Sequence, residues 1–596
     1  MTTLRIEDLQ VSYTVGRERL DVVRGVSLEI EPGQLLAVVG ESGSGKTTTA
    51  QAATGLLASN GAVTGGRVLI GEHDVTGWSE KRFRELRGRS IGWIPQDPNN
   101  SLNPVKRVGE SVAEVLRIHR WKDRAARRAR VIELLDYVGI PNPELRARQY
   151  PHELSGGMKQ RVLIAGAIAL EPALLIADEA TSALDVTVQA TILDLIDTLR
   201  RDSGTAVLMV THDLAVAADR SDRLVVLRDG VVQEAGETER VLADPASAYT
   251  RRLLRDAPSF ASLSLADPLR LNVSEGAEAG LPETVPAAHS AEITAENRAK
   301  ERLRLVQRDA LPSSIEASGD ALGLAGHTAT PAPVVVARNL VQSFGHGGDA
   351  QRAVDDVSFS IAPGSTHAIV GESGSGKTTT ARIVLGFQRP TSGTVQIHGQ
   401  EITTLRGNAL RELRRRVQMV YQNPFGSLDP RQSIADIVIE PLRNFGIGDA
   451  ASRRARAAEI IDQVALPASV LTRRPHELSG GQRQRVAIAR ALGPGPDVVV
   501  LDEAVSALDV TVQARILELL GELQRELGVS YLFISHDLAV VRQLSHTVSV
   551  LRGGLVVEEG RTDSVFDRPE HEYTRQLIAA IPGRRAAATG ALRSAS

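Results

Sequence analysis

Short apolar runs of four or five residues, without alternation, recur along the chain, and each leads to a polar group. Leu35–Val39 and His367–Val370 run into glycines, Ala173–Ala177 and Val498–Leu501 into Asp-Glu pairs, and Ala206–Val210 and Tyr531–Ile534 toward histidines. Runs of this kind are what strands covered on both faces of a parallel sheet look like. Such a sheet places its ligand at the carboxyl ends of its strands, where all these polar residues fall. The pattern predicts an α/β chain, with a helical stretch from Val108 to Ile140 whose Arg124–Arg130 cluster is a solvated face.

The polar ends of the runs are duplicated. G-E-S-G-S-G-K-T-T-T-A occurs at Gly40–Ala50 and again at Gly371–Ala381, which places Lys46 and Lys377 331 residues apart. Both copies contain G-x-x-x-x-G-K-[ST], a loop whose backbone N–H groups curl around phosphate oxygens at a helix N-terminus. In the first copy Gly40, Ser42, Gly43, Gly45 and Thr48 line the loop, and in the second Gly371, Ser373, Gly374, Gly376 and Thr379. Lys46 and Lys377 are placed to neutralise β/γ-phosphates, and Thr47 and Thr378 to offer a hydroxyl to Mg²⁺. A glycine-rich turn without a ligand would not need Lys-Thr retained in both copies.

E-L-S-G-G recurs at Glu153–Gly157 and Glu477–Gly481, D-E-A-x-S-A-L-D-V-T-V-Q-A at Asp178–Ala190 and Asp502–Ala514, and H-D-L-A-V at His212–Val216 and His536–Val540, all offset by 324 residues. The seven-residue difference from the phosphate loops is a net loss in the second copy, of the kind loops accommodate. Asp178 and Asp502 end apolar strands, so each can hold Mg²⁺ or its waters across the site. Glu179 and Glu503 follow directly, placed to orient or deprotonate an attacking water.

Composition narrows the class. The 596 residues are too many for one ordinary core, and 42% hydrophobic with 24% charged residues is globular. A net charge of −3 gives no basic field that would call for nucleic acid as a partner. The first residues, Met1 to Leu9, lack the apolar core of a signal peptide, and no apolar run reaches the roughly 18 residues of a membrane span. With no cysteine the chain has neither disulfides nor cysteine-held iron–sulfur clusters. Only seven of the 69 basic residues are lysines, yet both phosphate loops keep one, a slim ammonium where a planar guanidinium fits poorly. From 258 to 333 the composition shifts to Ala, Pro, Ser, Gly and Glu, which reads as a linker with one solvated helical stretch at Ala291–Asp309. The expected division is a first domain at 1–257, a linker at 258–333, a second domain at 334–583 and a frayed tail at 584–596.

A phosphate loop, then L-S-G-G, a strand ending in Asp-Glu, S-A-L-D and a histidine is the order in ABC-type ATPases, which the chain resembles twice over. The resemblance implies two tandem P-loop NTPase domains, each with a mostly parallel core sheet, an antiparallel subdomain and a helical subdomain. Gln96 and Gln422 resemble the glutamine that senses Mg²⁺ and the membrane partner. His212 and His536 resemble the switch histidine at the γ-phosphate, and Tyr13 and Phe344 the aromatic that stacks on adenine. In that family the signature completes the opposite site, so Ser479, Gly480 and Gly481 are expected over Lys46, and Ser155, Gly156 and Gly157 over Lys377. Asp185 and Asp509 are expected to face each other's sites. The first signature departs from the pattern, with Met158 where the second has Gln482.

Q-D-P-N-N-S-L-N-P at Gln96–Pro104, Q-N-P-F-G-S-L-D-P at Gln422–Pro430, P-H-E-L-S-G-G in both halves and the Y-T-x-x-L segments within Asp244–Leu254 and Arg568–Ile578 are similar to ATPases of dipeptide, oligopeptide and nickel importers. That resemblance implies ATP hydrolysis with Mg²⁺, two integral-membrane permease subunits, an extracytoplasmic solute-binding protein, and a peripheral place on the cytoplasmic face of the plasma membrane. A soluble tandem ATPase acting on ribosomes or nucleic acid is the competing expectation. It is disfavoured by the Ala/Pro/Gly-rich linker and the slightly acidic charge.

Overall fold

The computed structural model describes residues 2–257, 332–345 and 351–583, apart from 182, 183 and 507. The helical stretch expected at 291–309 and the tail at 584–596 lie outside the described residues, as does all but the end of the expected linker. Among the described residues each half builds two sheets.

In the first half a six-stranded sheet runs in the order Val231–Glu237, Arg223–Arg228, Leu35–Val39, Ala206–Val210, Leu174–Asp178 and Ile91–Ile94. All pairs are parallel except the outer hairpin, which closes through Asp229 and Gly230 at φ 50° and 77°, the conformation a tight hairpin turn demands. Every residue of Leu35–Val39, Leu174–Asp178 and Ala206–Val210 is buried, as the unalternating runs predict. The strand reaches Asp178, so the carboxylate expected to face a metal is itself the last strand residue.

A second, antiparallel sheet is built from Leu4–Val15, Glu18–Ile30, Gly61–Ile70 and His73–Asp74, and its apolar face shares a core with Val38, Ile176 and Leu208 of the large sheet. The expected helical stretch from Val108 divides into Val108–Ile118 and Arg124–Tyr137. Arg120 in the left-handed region (φ 68°) turns the chain, and Asp123 then caps the second helix by accepting from Ala125 and Ala126 N–H. Both helices pack on the helix Gly156–Ala167 through Val112, Leu116, Val131, Leu135 and Val162.

The second half repeats the plan, with its large sheet ordered Val417–Val420, Val498–Asp502, Ser530–Ile534, Thr366–Val370, Thr547–Arg552 and Leu555–Arg561. Both halves belong to one compact unit. Val186 of the first half is buried in the core of the second, and Val510 of the second in a cluster with Leu253 and Leu254 of the first. The Gly583 N–H donates to Asp219 Oδ2 across the halves at 2.7 Å. Among the described residues no helix is long and apolar enough to cross a membrane.

Candidate functional site

Each phosphate loop joins a buried strand to a helix that begins at the lysine, Lys46–Thr54 or Lys377–Val384. The residue before it is glycine at φ 96° or 103°, and a Cβ on Gly376 would lie 2.3 Å from the Ala353 carbonyl oxygen, so no other residue fits. Lys46 Nζ donates to the Gly40 and Glu41 carbonyls at 2.8 and 2.9 Å, and Lys377 to those of Gly371 and Glu372 at 2.7 and 2.8 Å. Burial holds both amines below the usual lysine range, against the pull of nearby carboxylates that include Asp509 or Asp185 of the opposite half.

Thr47 Oγ1 donates to Asp178 Oδ1 at 2.9 Å, and Thr378 Oγ1 to Asp502 Oδ1 at 3.5 Å. Burial pushes the Asp178 carboxyl up to about 6 and raises Asp502 as well. A hydroxyl and a carboxylate oxygen are hard donors suited to Mg²⁺, and a buried carboxylate is the group a cation would relieve. Among the described residues no cluster of three His, Cys, Asp or Glu could hold a metal unaided. The donor set therefore fits an ion that takes its remaining ligands from phosphates and water.

Glu179 and Glu503 lie one residue past the strand ends at φ 47°, a conformation that costs of order 1–3 kcal/mol for a side-chain-bearing residue. Their N–H groups are fixed on the Val210 and Ile534 carbonyls at 2.8 and 2.9 Å. Gln96 Nε2 donates to Glu179 Oε2 and Gln422 Nε2 to Glu503 Oε2, both at 2.6 Å. His212 Nδ1 stands 3.3 Å from Glu179, and His536 Nδ1 3.2 Å from Glu503. Burial alone would raise the two glutamates. The histidine hydrogen bond and charge outweigh it and hold both below the ordinary value. Burial likewise opposes charge on the histidines, and the facing glutamates overcome it and raise them. The result is a carboxylate kept ionised between an amide and an imidazole whose proton it helps to hold, twice.

A cavity of about 690 Å³ between the halves is lined by Ser42, Gly43, Gly45, Lys46, Thr47, Thr48, Gln96, Glu179 and His212 from one side and by Ser373, Gln422, Glu503 and His536 from the other, with Asp185 and Asp509. The signature serines are not among its lining residues. A Cβ on Gly157 would lie 2.6 Å from Val188 Cγ1, and one on Gly481 2.5 Å from Val512 Cγ1, so each signature helix seats directly behind its own half's Asp185 or Asp509 segment. The two signatures differ in one bond. Ser479 Oγ accepts from Gln482 N at 3.3 Å and Gln482 Oε1 accepts from Ser479 N at 3.0 Å, a reciprocal cap. Ser155 accepts from Met158 N at 3.3 Å, but a thioether cannot return the bond in the same way. The aromatics are not brought to the cavity: Tyr13 lies against Gly61, and Phe344 is 49% exposed.

Sequence reasoning missed three groups. Thr187 Oγ1 bonds Glu372 Oε1 across the halves at 2.7 Å. The Tyr249 and Tyr573 hydroxyls accept from the N–H groups of Glu41 and Glu372, each at 3.3 Å. The repeated Y-T-x-x-L motif was a visible signal, but nothing in it pointed to a phosphate loop some 200 positions earlier in the chain, at separations of 208 and 201 residues.

The ABC transporter family model matches residues 23–182 and 354–506, and the model of the oligopeptide/dipeptide transporter C-terminal region matches 557–595. The chain is 40% identical over 592 residues to a glutathione import ATP-binding protein of Shigella dysenteriae, covering 97% of this chain and 89% of that protein. It is 42% identical over 613 residues to an oligopeptide transport ATP-binding protein of Mycobacterium bovis, covering 97% of this chain and 98% of that protein. A solved dimeric ATP-binding cassette with ADP and Pi is 31% identical, with a TM-score of 0.36 over 38% of this chain and 98% of that one.

Proposed function

The chain belongs to the ABC transporter family of ATP-binding proteins, and on that premise we propose that it hydrolyses ATP at two composite sites to drive import of small peptides through permease partners. One constellation made twice carries the proposal: an ionised glutamate between a glutamine and a histidine, opening into a cavity that Lys46 of the first phosphate loop and Ser373 of the second also line. The two relatives, matched over 97% of the chain, are an import and a transport ATP-binding protein, which favours a permease partner over ribosomes or nucleic acid.

In this proposal the loop N–H groups and Lys46 or Lys377 bind the phosphates, and Thr47 with Asp178, or Thr378 with Asp502, hold Mg²⁺. Bound there, Mg²⁺ supplies neutralisation of the β/γ-phosphate oxygens. Glu179 and Glu503, which the facing histidines hold below the ordinary carboxylate value and so leave ionised, orient the attacking water and accept its proton. Gln96 and Gln422 restrain those carboxylates, while His212 and His536 reach the γ-phosphate. On closure Ser479 and Gly481 advance toward Lys46, and Ser155 and Gly157 toward Lys377. The difference in γ-phosphate contacts between open and closed forms is what lets ATP drive that motion. The remaining partner is a solute-binding protein outside the membrane, with the chain docked at the cytoplasmic face.

The test is purification of the tagged full chain from detergent-solubilised membranes, with identification of its companions. Recovery of two multi-span proteins, and ATP hydrolysis by the reconstituted complex that rises with a peptide-loaded binding protein, is the expected result. Recovery of ribosomes without multi-span proteins would overturn it.

A further inference from the structure

Each half ends in a helix, Ala248–Asp256 or Glu572–Ala579, that bears the Y-T-x-x-L motif. Its start is tied to its own half, since Glu234 accepts from Ala246 and Ser247 N–H at 2.7 and 3.1 Å, and Glu558 from Glu570 and His571 N–H at 2.9 and 3.1 Å. Its tyrosine is buried, 6% exposed at Tyr249 and 3% at Tyr573, with the Arg228 or Arg552 guanidinium 5.0 or 4.8 Å from the ring centroid.

The hydroxyl meets one particular peptide unit. The Glu41 N–H that donates to Tyr249 belongs to the same rigid plane as the Gly40 carbonyl that accepts from Lys46 at 2.8 Å. In a trans peptide the N–H and C=O point in opposite directions, so tyrosine and lysine grip the two sides of one plate. Glu372 N–H, the Gly371 carbonyl and Lys377 repeat the arrangement beneath Tyr573. Gly40 and Gly371 stand at φ 151° and 147°, and a Cβ on them would lie 2.1 and 2.2 Å from the Leu227 and Leu551 carbonyl oxygens, so the plate turns on residues that only glycine can supply.

The same helix also touches the opposite half. Leu253 packs in one cluster with Val510, and both line a small cavity with Gly40, Glu41 and Thr511. Burial above all, with the Asp509 carboxylate of the opposite half among the smaller contributions, raises the Tyr249 phenol to about 12, and Asp185 adds in the same way at Tyr573.

We propose that Tyr249 and Tyr573 are positioning residues of the ATPase: each sets the peptide plane on which the phosphate-loop lysine rests, and so ties the packing of its tail helix on the opposite half to the nucleotide site. This rests on the ATPase function proposed above. The hydroxyl touches neither nucleotide nor water; it acts through Lys46 or Lys377.

The experiment uses the full chain with Tyr249→Phe and Tyr573→Phe, singly and together, each also combined with Lys46→Ala or Lys377→Ala. ATP affinity by calorimetry, KM and kcat for ATP, and the melting temperature are read. Removing one buried hydrogen bond predicts about fivefold weaker ATP affinity and higher KM per site, with kcat within about twofold. Melting falls by no more than the few degrees that one buried hydrogen bond is worth, alike with and without the lysine, and no further loss of affinity follows once the lysine of the same half is gone. Unchanged affinity, an equal loss in the lysine-free background, or a loss that merely follows a larger fall in melting temperature would overturn the positioning role. Failure of the unaltered chain to bind ATP would instead overturn the ATPase proposal itself, and this one with it.

Discussion

Replacing Glu179 or Glu503 by glutamine tests the centre of the proposed chemistry. The side chains are 14% and 19% exposed, and glutamine has nearly the same shape, so the Gln96 or Gln422 contact and the strand end can persist. What disappears is the negative charge facing His212 or His536 at 3.3 or 3.2 Å and the ability to take a proton from water. A positioned base contributes about 10²–10⁴-fold, or roughly 3–5 kcal/mol of barrier, at its site. Independent sites would leave each single variant about half the rate on this scale. Because both glutamates open into one cavity and Thr187 bonds Glu372 across the halves, a site that cannot hydrolyse should hold its neighbour closed. Each single variant should therefore fall well below half, and the double variant by about 100-fold or more. The assay is steady-state phosphate release at saturating MgATP, with ATP binding measured separately. An unaffected rate in either single variant would show that site to be silent, and a double variant keeping a tenth of the activity would refute the base assignment.

Thr187 and Thr511 occupy equivalent places, yet Thr187 bonds Glu372 across the halves, whereas the buried Thr511 hydroxyl has no partner among the described residues. Thr187→Val should cost about 1–2 kcal/mol and Thr511→Val should be neutral or stabilising in denaturant unfolding, and equal effects would refute the asymmetry. His367 stands where the first half has Leu36, stacked 4.9 Å from Phe359 and hydrogen-bonded to Thr547 and Ser549 at 2.8 and 3.0 Å. Burial lowers its pKa from 6.5 to about 3, so the unfolded chain takes up its proton first and stability falls as pH drops below 6.5. The loss is about 2 kcal/mol at pH 5. His367→Leu should abolish that part of the pH dependence, at a cost of about 1–3 kcal/mol at neutral pH for the two hydroxyls left unpaired. Thermal unfolding from pH 7.5 to 5 checks it, and parallel profiles for the two proteins would refute the linkage.

Much of the site was legible in the order of residues because its geometry is local. The runs at Leu35–Val39, Leu174–Asp178 and Ala206–Val210 are buried strands, and parallel pairing brings Asp178, Glu179 and His212 to one edge without any further information. The phosphate loop is read equally well, since its glycines, lysine and threonine are consecutive and act through their own backbone. Helix Val108–Ile118 and its successor were blurred into one stretch because the left-handed turn at Arg120 has no glycine to mark it.

Contacts between distant segments were another matter. The duplicated motifs required two like halves, and an alternation-free apolar pattern required buried parallel sheets; both follow from periodicity and from chemistry confined to a few neighbouring residues. Which carboxylate of one half comes near which lysine of the other, that Thr187 is bonded while Thr511 is not, and that a tyrosine of each tail helix grips the back of a phosphate loop depend on how two finished surfaces meet. Such pairings carry no period, and a hydroxyl has many equally good partners along the chain until packing selects among them.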